Sequence, residues 1–263
     1  MGSVETVASA RGLLPRRSLL ILEVCLVLAV SLGRSGVYAL VDLVASLTKP
    51  GPLSSHRAVM NASLAPGREW LDLTLQLLAI GFALVPVALA GYLLVRSGTA
   101  LGEVWFGRSS LGGDVVRGAG LAAVVGGTGI VFYLLVHAAG ANLTVVAEAL
   151  PHVWWRFPVL VLSAMQNALL EELVVLGYVI PRLQQIGLSG RIAVVLAAVL
   201  RGSYHLYQGF GGFAGNAAMG LLFGWLYLRW RRTTPMIVAH TLLDVGAFVG
   251  FALLAGKVSW LPS

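Results

Sequence analysis

Apolar runs of membrane length recur along the chain at about residues 18–46, 70–95, 118–138, 157–180, 190–207, 212–228 and 235–255. A helix needs about 20 apolar residues to cross the hydrocarbon core of a bilayer. The pattern predicts an all-α fold, a polytopic transmembrane helix bundle of about seven spans, with six to eight allowed by the uncertainty of helix ends. The first run is too long for one straight span. Arg34 and Asp42 inside it predict a second half that tilts, lies at the interface or packs within the bundle.

Polar residues break these runs at a few places only. Glu171 and Glu172 are adjacent in the apolar stretch Met165–Arg182, Arg201 and His205 sit in the next run but one turn apart, and His240 and Asp244 do the same in the last. An ionisable group near mid-membrane costs several kcal/mol and is a functional-site hypothesis by default.

Composition agrees with a membrane domain. Of the residues, 58% are hydrophobic and 11% charged, against about 25% charged in an ordinary soluble domain. The net charge of +7 would fit a nucleic-acid binder if the basic residues formed a stripe. They fall instead in short loops between apolar runs, so nucleic acid is not expected as a partner. With the N-terminus inside, eleven basic residues lie in inner segments (Arg11, Arg16, Arg17, Arg96, Arg108, Arg117, Arg182, Arg191, Arg229, Arg231 and Arg232) and five in outer ones. That excess predicts a cytoplasmic N-terminus. The single cysteine, Cys25, permits no internal disulfide and reads as a small buried hydrophobe.

Some features carry no chemistry in this reading. Asn61 and Asn142 head formal glycosylation sequons that chance explains. Trp70, Trp154, Trp155 and Trp230 fall at predicted helix ends, as an aromatic belt would. Gly211/Gly215 and Gly220/Gly224 have the small-xxx-small spacing of close helix packing, and Gly126, Gly127 and Gly129 are expected to act alike. His56, His137 and His152, with Glu23, Asp42 and Asp72, are read as structural. Gln208 and Asn216 are weaker candidates for lining a site.

The ionisable groups fall at one depth. Counted from the basic residue flanking each span at 1.5 Å per residue, Glu171 lies roughly 16 Å deep, His205 roughly 21 Å, and His240 and Asp244 roughly 12 and 18 Å. His240 and Asp244 share a helix face, as do Arg201 and His205. Glu171 and Glu172 point about 100° apart, so one can face a reaction centre while the other braces a neighbouring helix. A carboxylate in such a place can act as general base on water. Two histidines from different helices can ligate a metal, donate to an oxyanion or serve as acid. Asp244 can orient His240 or take part directly. Ser203 lies two residues from His205, on another face, which argues against a serine nucleophile.

At these residues the chain resembles the CPBP family, the CAAX-protease and bacteriocin-processing intramembrane proteases also called Abi. The family pattern is Glu-Glu-x-x-x-Arg-Gly, Phe-x-x-x-His and His-x-x-x-Asn/Asp on three membrane helices. The chain reads Glu171-Glu172-Leu-Val-Val-Leu176-Gly177, Arg201-Gly-Ser-Tyr-His205 and His240-Thr-Leu-Leu-Asp244. The resemblance implies that Glu171 is the glutamate that activates water, that Glu172 is the second motif acid, that His205 is a catalytic or metal-binding histidine, and that His240 and Asp244 bind metal or stabilise the oxyanion. It implies either a divalent metal, Zn in the first instance, held by Glu171, His205 and His240, or a metal-free glutamate mechanism with the same residues.

Two positions depart from the pattern: Leu176 stands where the family has Arg, and Arg201 where it has Phe. The two changes are read as linked. Arg201 is expected to pair with Glu172 across the helices and replace the missing charge, because an unpaired buried carboxylate costs several kcal/mol.

The reading divides the chain into a cytoplasmic tail (1–17), N-terminal transmembrane helices (18–156), a catalytic core (157–255) and a C-terminal tail (256–263). It predicts an intramembrane endopeptidase in a bacterial plasma membrane, acting on a peptide or protein substrate embedded in or associated with the bilayer. The rivals are a non-catalytic scaffold or immunity-type protein and a proton-coupled transporter. The lack of an internal repeat or a Gly/Pro-broken helix pair weighs against the last.

Overall fold

The computed structural model describes residues 16–107 and 110–258. The predicted N-terminal tail up to residue 15, Arg108, and the end of the C-terminal tail from residue 259 lie outside the described residues. The fold is a helical bundle, as the apolar runs predict, with helices numbered here in chain order.

The bundle is organised around one long helical rod. Helix α6 (Arg156–Glu171) runs directly into a π-helical segment (Glu172–Val179) and then α7 (Ile180–Gln185). All eight residues of the π segment are buried. A π turn is rare, and where it occurs it is frequently at a functional site; here it begins at the second motif glutamate. The rod is packed by α1 (Arg16–Ala29), the pair α3 (Glu69–Ala83) and α4 (Val85–Arg96), the hairpin α8 (Gly190–Ser203) and α9 (Phe210–Trp230), and α10 (Thr234–Leu254), while α2 (Leu32–Leu47) packs on α1 and α8 and α5 (Leu111–Ala138) on α9 and α10.

Among the described residues four helical stretches are long and apolar enough to cross a membrane: Glu69–Arg96, Leu111–Ala138, Arg156–Gln185 and Thr234–Leu254. A fifth appears if α1 and α2, bent by 54° at their junction, count as one span. The bent pair is the overlong first run of the sequence, and its break sits just before Arg34. The runs at 190–207 and 212–228 form helices but fall outside this set. At 14 residues, α8 rises only about 21 Å, and the glycines of α9 dilute its apolarity. Large apolar side chains such as Val116, Val124 and Leu135 stand exposed along α5, where lipid is the expected solvent. The chain is an integral membrane protein.

Close helix contact depends on glycine where the spacing predicts it. A Cβ on Gly220 would lie 3.0 Å from Ala198 Cα, and one on Gly224 2.8 Å from Val194, so these two set the α8–α9 distance. Gly126 meets Leu243 of α10 in the same way, whereas Gly127 and Gly129 have nothing within 4 Å.

One feature has no counterpart in the periodicity. β1 (Arg57–Ala62) and β2 (Thr144–Ala149) form a two-stranded parallel sheet between segments that read as loops. A parallel pair requires a long crossover, supplied here by α3 to α5. Both sequons have structural roles: Asn61 Nδ2 of β1 donates to Ala147 O of β2, and the buried Asn142 side chain, just before β2, accepts from Gly212 N of α9. Two further expectations change. Cys25 is exposed on α1 rather than buried. Trp155 is 1% exposed and belongs to the core beside Val159 and Phe248, so it is no interfacial anchor. Arg182, taken from the sequence as a flanking residue, is also fully buried. It pairs with Glu23 at 2.9 Å and donates to Leu93 O, Ser97 Oγ and Gln185 Oε1.

Candidate active site

The three motif helices bring their polar groups to one place. Glu171 closes α6 and Glu172 opens the π segment. Arg201 lies in the last turn of α8, His205 in the short turn that follows it, and His240 and Asp244 one turn apart on α10. Glu171, His205, His240 and Asp244 line a common cavity of about 230 Å³ with Leu32, Ser35, Met60, Asn167, Leu170, Tyr204 and Tyr207. Met60 belongs to β1, so the sheet forms part of the wall.

The two glutamates take different partners, as the turn between them requires. Glu172 faces away from the cavity and is 0% exposed. Its Oε1 accepts from Arg201 Nη1 at 2.7 Å and from His240 Nδ1 at 2.8 Å. Glu171 faces the cavity. Its Oε2 accepts from the Tyr204 hydroxyl at 2.8 Å and lies 3.3 Å from Arg201 Nη2. Among the described residues Oε1 of Glu171 has no hydrogen-bond partner, which leaves one carboxylate oxygen for a ligand.

Arg201 therefore joins both glutamates. Its guanidinium is fully buried and also packs over the Phe223 ring at 5.4 Å. The predicted pair with Glu172 forms, and the partner position of the family pattern is filled differently. Leu176 is 1% exposed in the apolar core.

The histidines are held in defined orientations. His205 Nδ1 lies 3.0 Å from the Arg201 carbonyl. A carbonyl only accepts, so Nδ1 carries the proton and Nε2 offers a lone pair. His240 Nδ1 is within 3.1 Å of Arg201 Nη2 as well as 2.8 Å from Glu172 Oε1. The shorter contact, to a carboxylate, assigns its proton to Nδ1. His240 Nε2 then faces Asp244 Oδ1 at 3.6 Å. Asp244 Oδ2 accepts from Asn167 Nδ2 at 3.1 Å.

Sequence reasoning missed Tyr204, Tyr207 and Asn167. Asn167 was within reach of it, being one turn before Glu171 on the same face. Tyr204 adjoins His205, but no spacing rule predicts a hydroxyl arriving from a turn. Gln208 and Asn216 do not line the cavity: Gln208 donates to Tyr207 Oη and Asn216 to Gly212 O. His137 and His152 bond to Thr144 and Arg156 elsewhere.

The donor set bears on metal binding. Among the described residues no three His, Cys, Asp or Glu side chains are grouped to hold a metal ion. The fixed cation at the site is the Arg201 guanidinium, which sits against Glu171 Oε2 and His240 Nδ1. These residues as arranged do not fit a divalent ion.

Residues 153–246 match the family model described as Type II CAAX prenyl endopeptidase Rce1-like. All three motifs lie inside this segment, which covers roughly a third of the chain, consistent with a CPBP-family intramembrane protease. The match supports an intramembrane endopeptidase at the level of the family. No curated protein and no solved structure shows a significant match to the chain.

Proposed function

We propose that the protein is an intramembrane endopeptidase that hydrolyses a peptide bond with water activated by Glu171. The observation that carries this reading is the pairing of an uncommitted Glu171 carboxylate oxygen with three other polar groups, His205, His240 and Asp244, around one cavity walled by apolar helices.

The chemistry follows from the atoms. A water donating to Glu171 Oε1 and His205 Nε2 is oriented with its lone pair free. Glu171 takes a proton as the oxygen adds to the scissile carbonyl carbon. His240, with Nδ1–H held by Glu172 and a second proton on Nε2, donates to the carbonyl oxygen as negative charge develops there. Such a fixed donor is worth about 10²–10³ in rate. The C–N bond then breaks, Nε2 protonates the departing amine, and the proton on Glu171 restores His240. The products are a carboxylic acid and an amine. Asp244 balances the imidazolium, and Arg201 holds Glu172 and Glu171 in register. Glu172 and Arg201 are positioning residues.

No step is routed through a divalent metal, because among the described residues no three His, Cys, Asp or Glu side chains are grouped to hold one. The substrate class is a membrane-embedded or membrane-associated peptide, and the excess of basic residues in alternate loops favours a cytoplasmic N-terminus. In a bacterial host without prenylated proteins, peptide maturation or membrane-protein turnover is the fitting role.

The test is Glu171→Gln in the purified, detergent-solubilised protein. Turnover of a membrane-anchored peptide should fall by at least about a hundredfold with an unchanged melting profile, because the amide oxygen still accepts from Tyr204. Unchanged turnover retires the reading, and altered proton flux in vesicles in its place would favour a carrier.

A further inference from the structure

A second cavity of about 270 Å³ adjoins the candidate active site and is lined by Arg34, Ser35, Tyr38, Ala39, Asp42, Tyr204 and Tyr207. Ser35, Tyr204 and Tyr207 line both cavities, so these three side chains form a shared wall. Arg34, Tyr38 and Asp42 recur every four residues and stand on one face of α2. Their span along the helix is about 12 Å, the reach of a few extended peptide residues.

The charges on this face are unspent. Among the described residues Arg34 and Asp42 make no hydrogen bond or ion pair. Charged groups in a membrane helix normally pair with each other or face a water-filled cavity, and they mark substrate pathways. Arg34 has the cavity but not the partner. In this bundle the other arginines of helix interiors, Arg182 and Arg201, are each tied to carboxylates.

We infer that the Arg34–Tyr38–Asp42 face of α2 is a substrate subsite in which Arg34 pairs with a carboxylate of the bound peptide, one cavity away from the scissile bond. The guanidinium fork takes a carboxylate through two parallel N–H donors. Tyr38 supplies a flat wall, and Asp42 excludes a second anion further along α2. The bound peptide passes from this cavity over Tyr204 and Tyr207 to Glu171. A carboxylate can come from the chain end or from an acidic side chain. The inference rests on the endopeptidase reading for the nature of the ligand, but its own evidence is the cavity and the unpaired guanidinium.

The experiment uses three fluorescent palmitoylated peptides of otherwise equal sequence: one with a free terminal carboxylate, one amidated with a single Glu, and one amidated with Gln in that place. Binding to the full chain in micelles is read by anisotropy. At least one carboxylate peptide should bind about tenfold tighter than the neutral one, and the tighter of the two identifies the source. Arg34→Gln should abolish the difference, Arg34→Lys should keep part of it, and Arg34→Glu should invert it. Since Arg34 is exposed and unpartnered, these variants fold as the parent does. Equal binding of all three peptides, or a preference that survives Arg34→Gln, overturns the subsite. Hydrolysis in the same samples is a separate readout. Binding that follows Arg34 without Glu171-dependent cleavage retires the endopeptidase and leaves the subsite. Cleavage that needs Glu171 but ignores Arg34 does the reverse.

Discussion

Arg201 and Glu172 meet at 2.7 Å with neither side chain exposed. They come from different helices, and among the described residues each retains one buried atom without a partner, Arg201 Nε and Glu172 Oε2. The family pattern that the chain resembles places its arginine four residues after Glu172, on the same helix. Here that position is an apolar core residue and the cation has moved to α8. The positive charge beside the glutamates is kept while the element that supplies it changes, which ties α8 and its His205 turn directly to the rod.

A buried pair of this kind is costly to break and cheap to replace whole. Removing one partner leaves an uncompensated charge, about 3–5 kcal/mol, whereas replacing both by apolar groups is often neutral. Arg201→Leu and Glu172→Leu should each lower the unfolding midpoint sharply in detergent, and the double variant should recover most of the loss. Activity should not return with stability in the double variant, because His240 Nδ1 then lacks the carboxylate that orients it. Thermal melts and turnover measured on the same four proteins check both halves. Additive destabilisation would mean that the pair contributes no coupling.

The guanidinium also makes a claim about inhibitors. If Arg201 supplies the positive charge beside Glu171 and His240, strong chelators should leave turnover within about twofold of the untreated rate, since a metal needs about three protein ligands and no such group is assembled among the described residues. The purified protein should carry no stoichiometric zinc by elemental analysis. Loss of activity with a chelator, restored by adding back one divalent ion, would overturn the guanidinium's role.

The residues that meet at the site were legible in the sequence because the bilayer makes each of them conspicuous. Lipid tolerates Glu171, Glu172, Arg201, His205, His240 and Asp244 only where they satisfy one another, so equal depth and shared faces were enough to group them. The arginine shift was legible for the same reason. What stayed hidden has no periodic or energetic signature. Strand β1 is Arg-Ala-Val-Met-Asn-Ala, with no alternation to distinguish it from a loop, and its pairing with β2 is set by tertiary position. Tyr204 and Tyr207 are amphipathic residues unremarkable at any membrane depth. Arg182 read as an end marker because Glu23, its partner, lies on a helix more than 150 residues away in the chain. The π winding at Glu172 leaves every residue buried and so erases the helical stripe from which phase is read.

That winding has a steric companion at Gly177. A Cβ there would stand 2.6 Å from Trp105 Cδ1 and Nε1, and Trp105 is fixed in turn by Thr233, whose N–H and hydroxyl both donate to its carbonyl at 2.9 and 2.6 Å. Gly177 is thus the point where the segment before α5 locks onto the rod one turn beyond Glu172. Gly177→Ala should cost about 1–3 kcal/mol, the usual range for overpacking, and it should lower turnover by tilting the π segment and with it Glu171. Trp105→Ala, which removes both indole atoms in conflict, should restore turnover to the Gly177→Ala background while destabilising the parent through the cavity it leaves. If the alanine variant melts and turns over as the parent does, the contact with Trp105 does not hold the segment, and the placement of Glu171 must depend on Arg201 and Tyr204 alone.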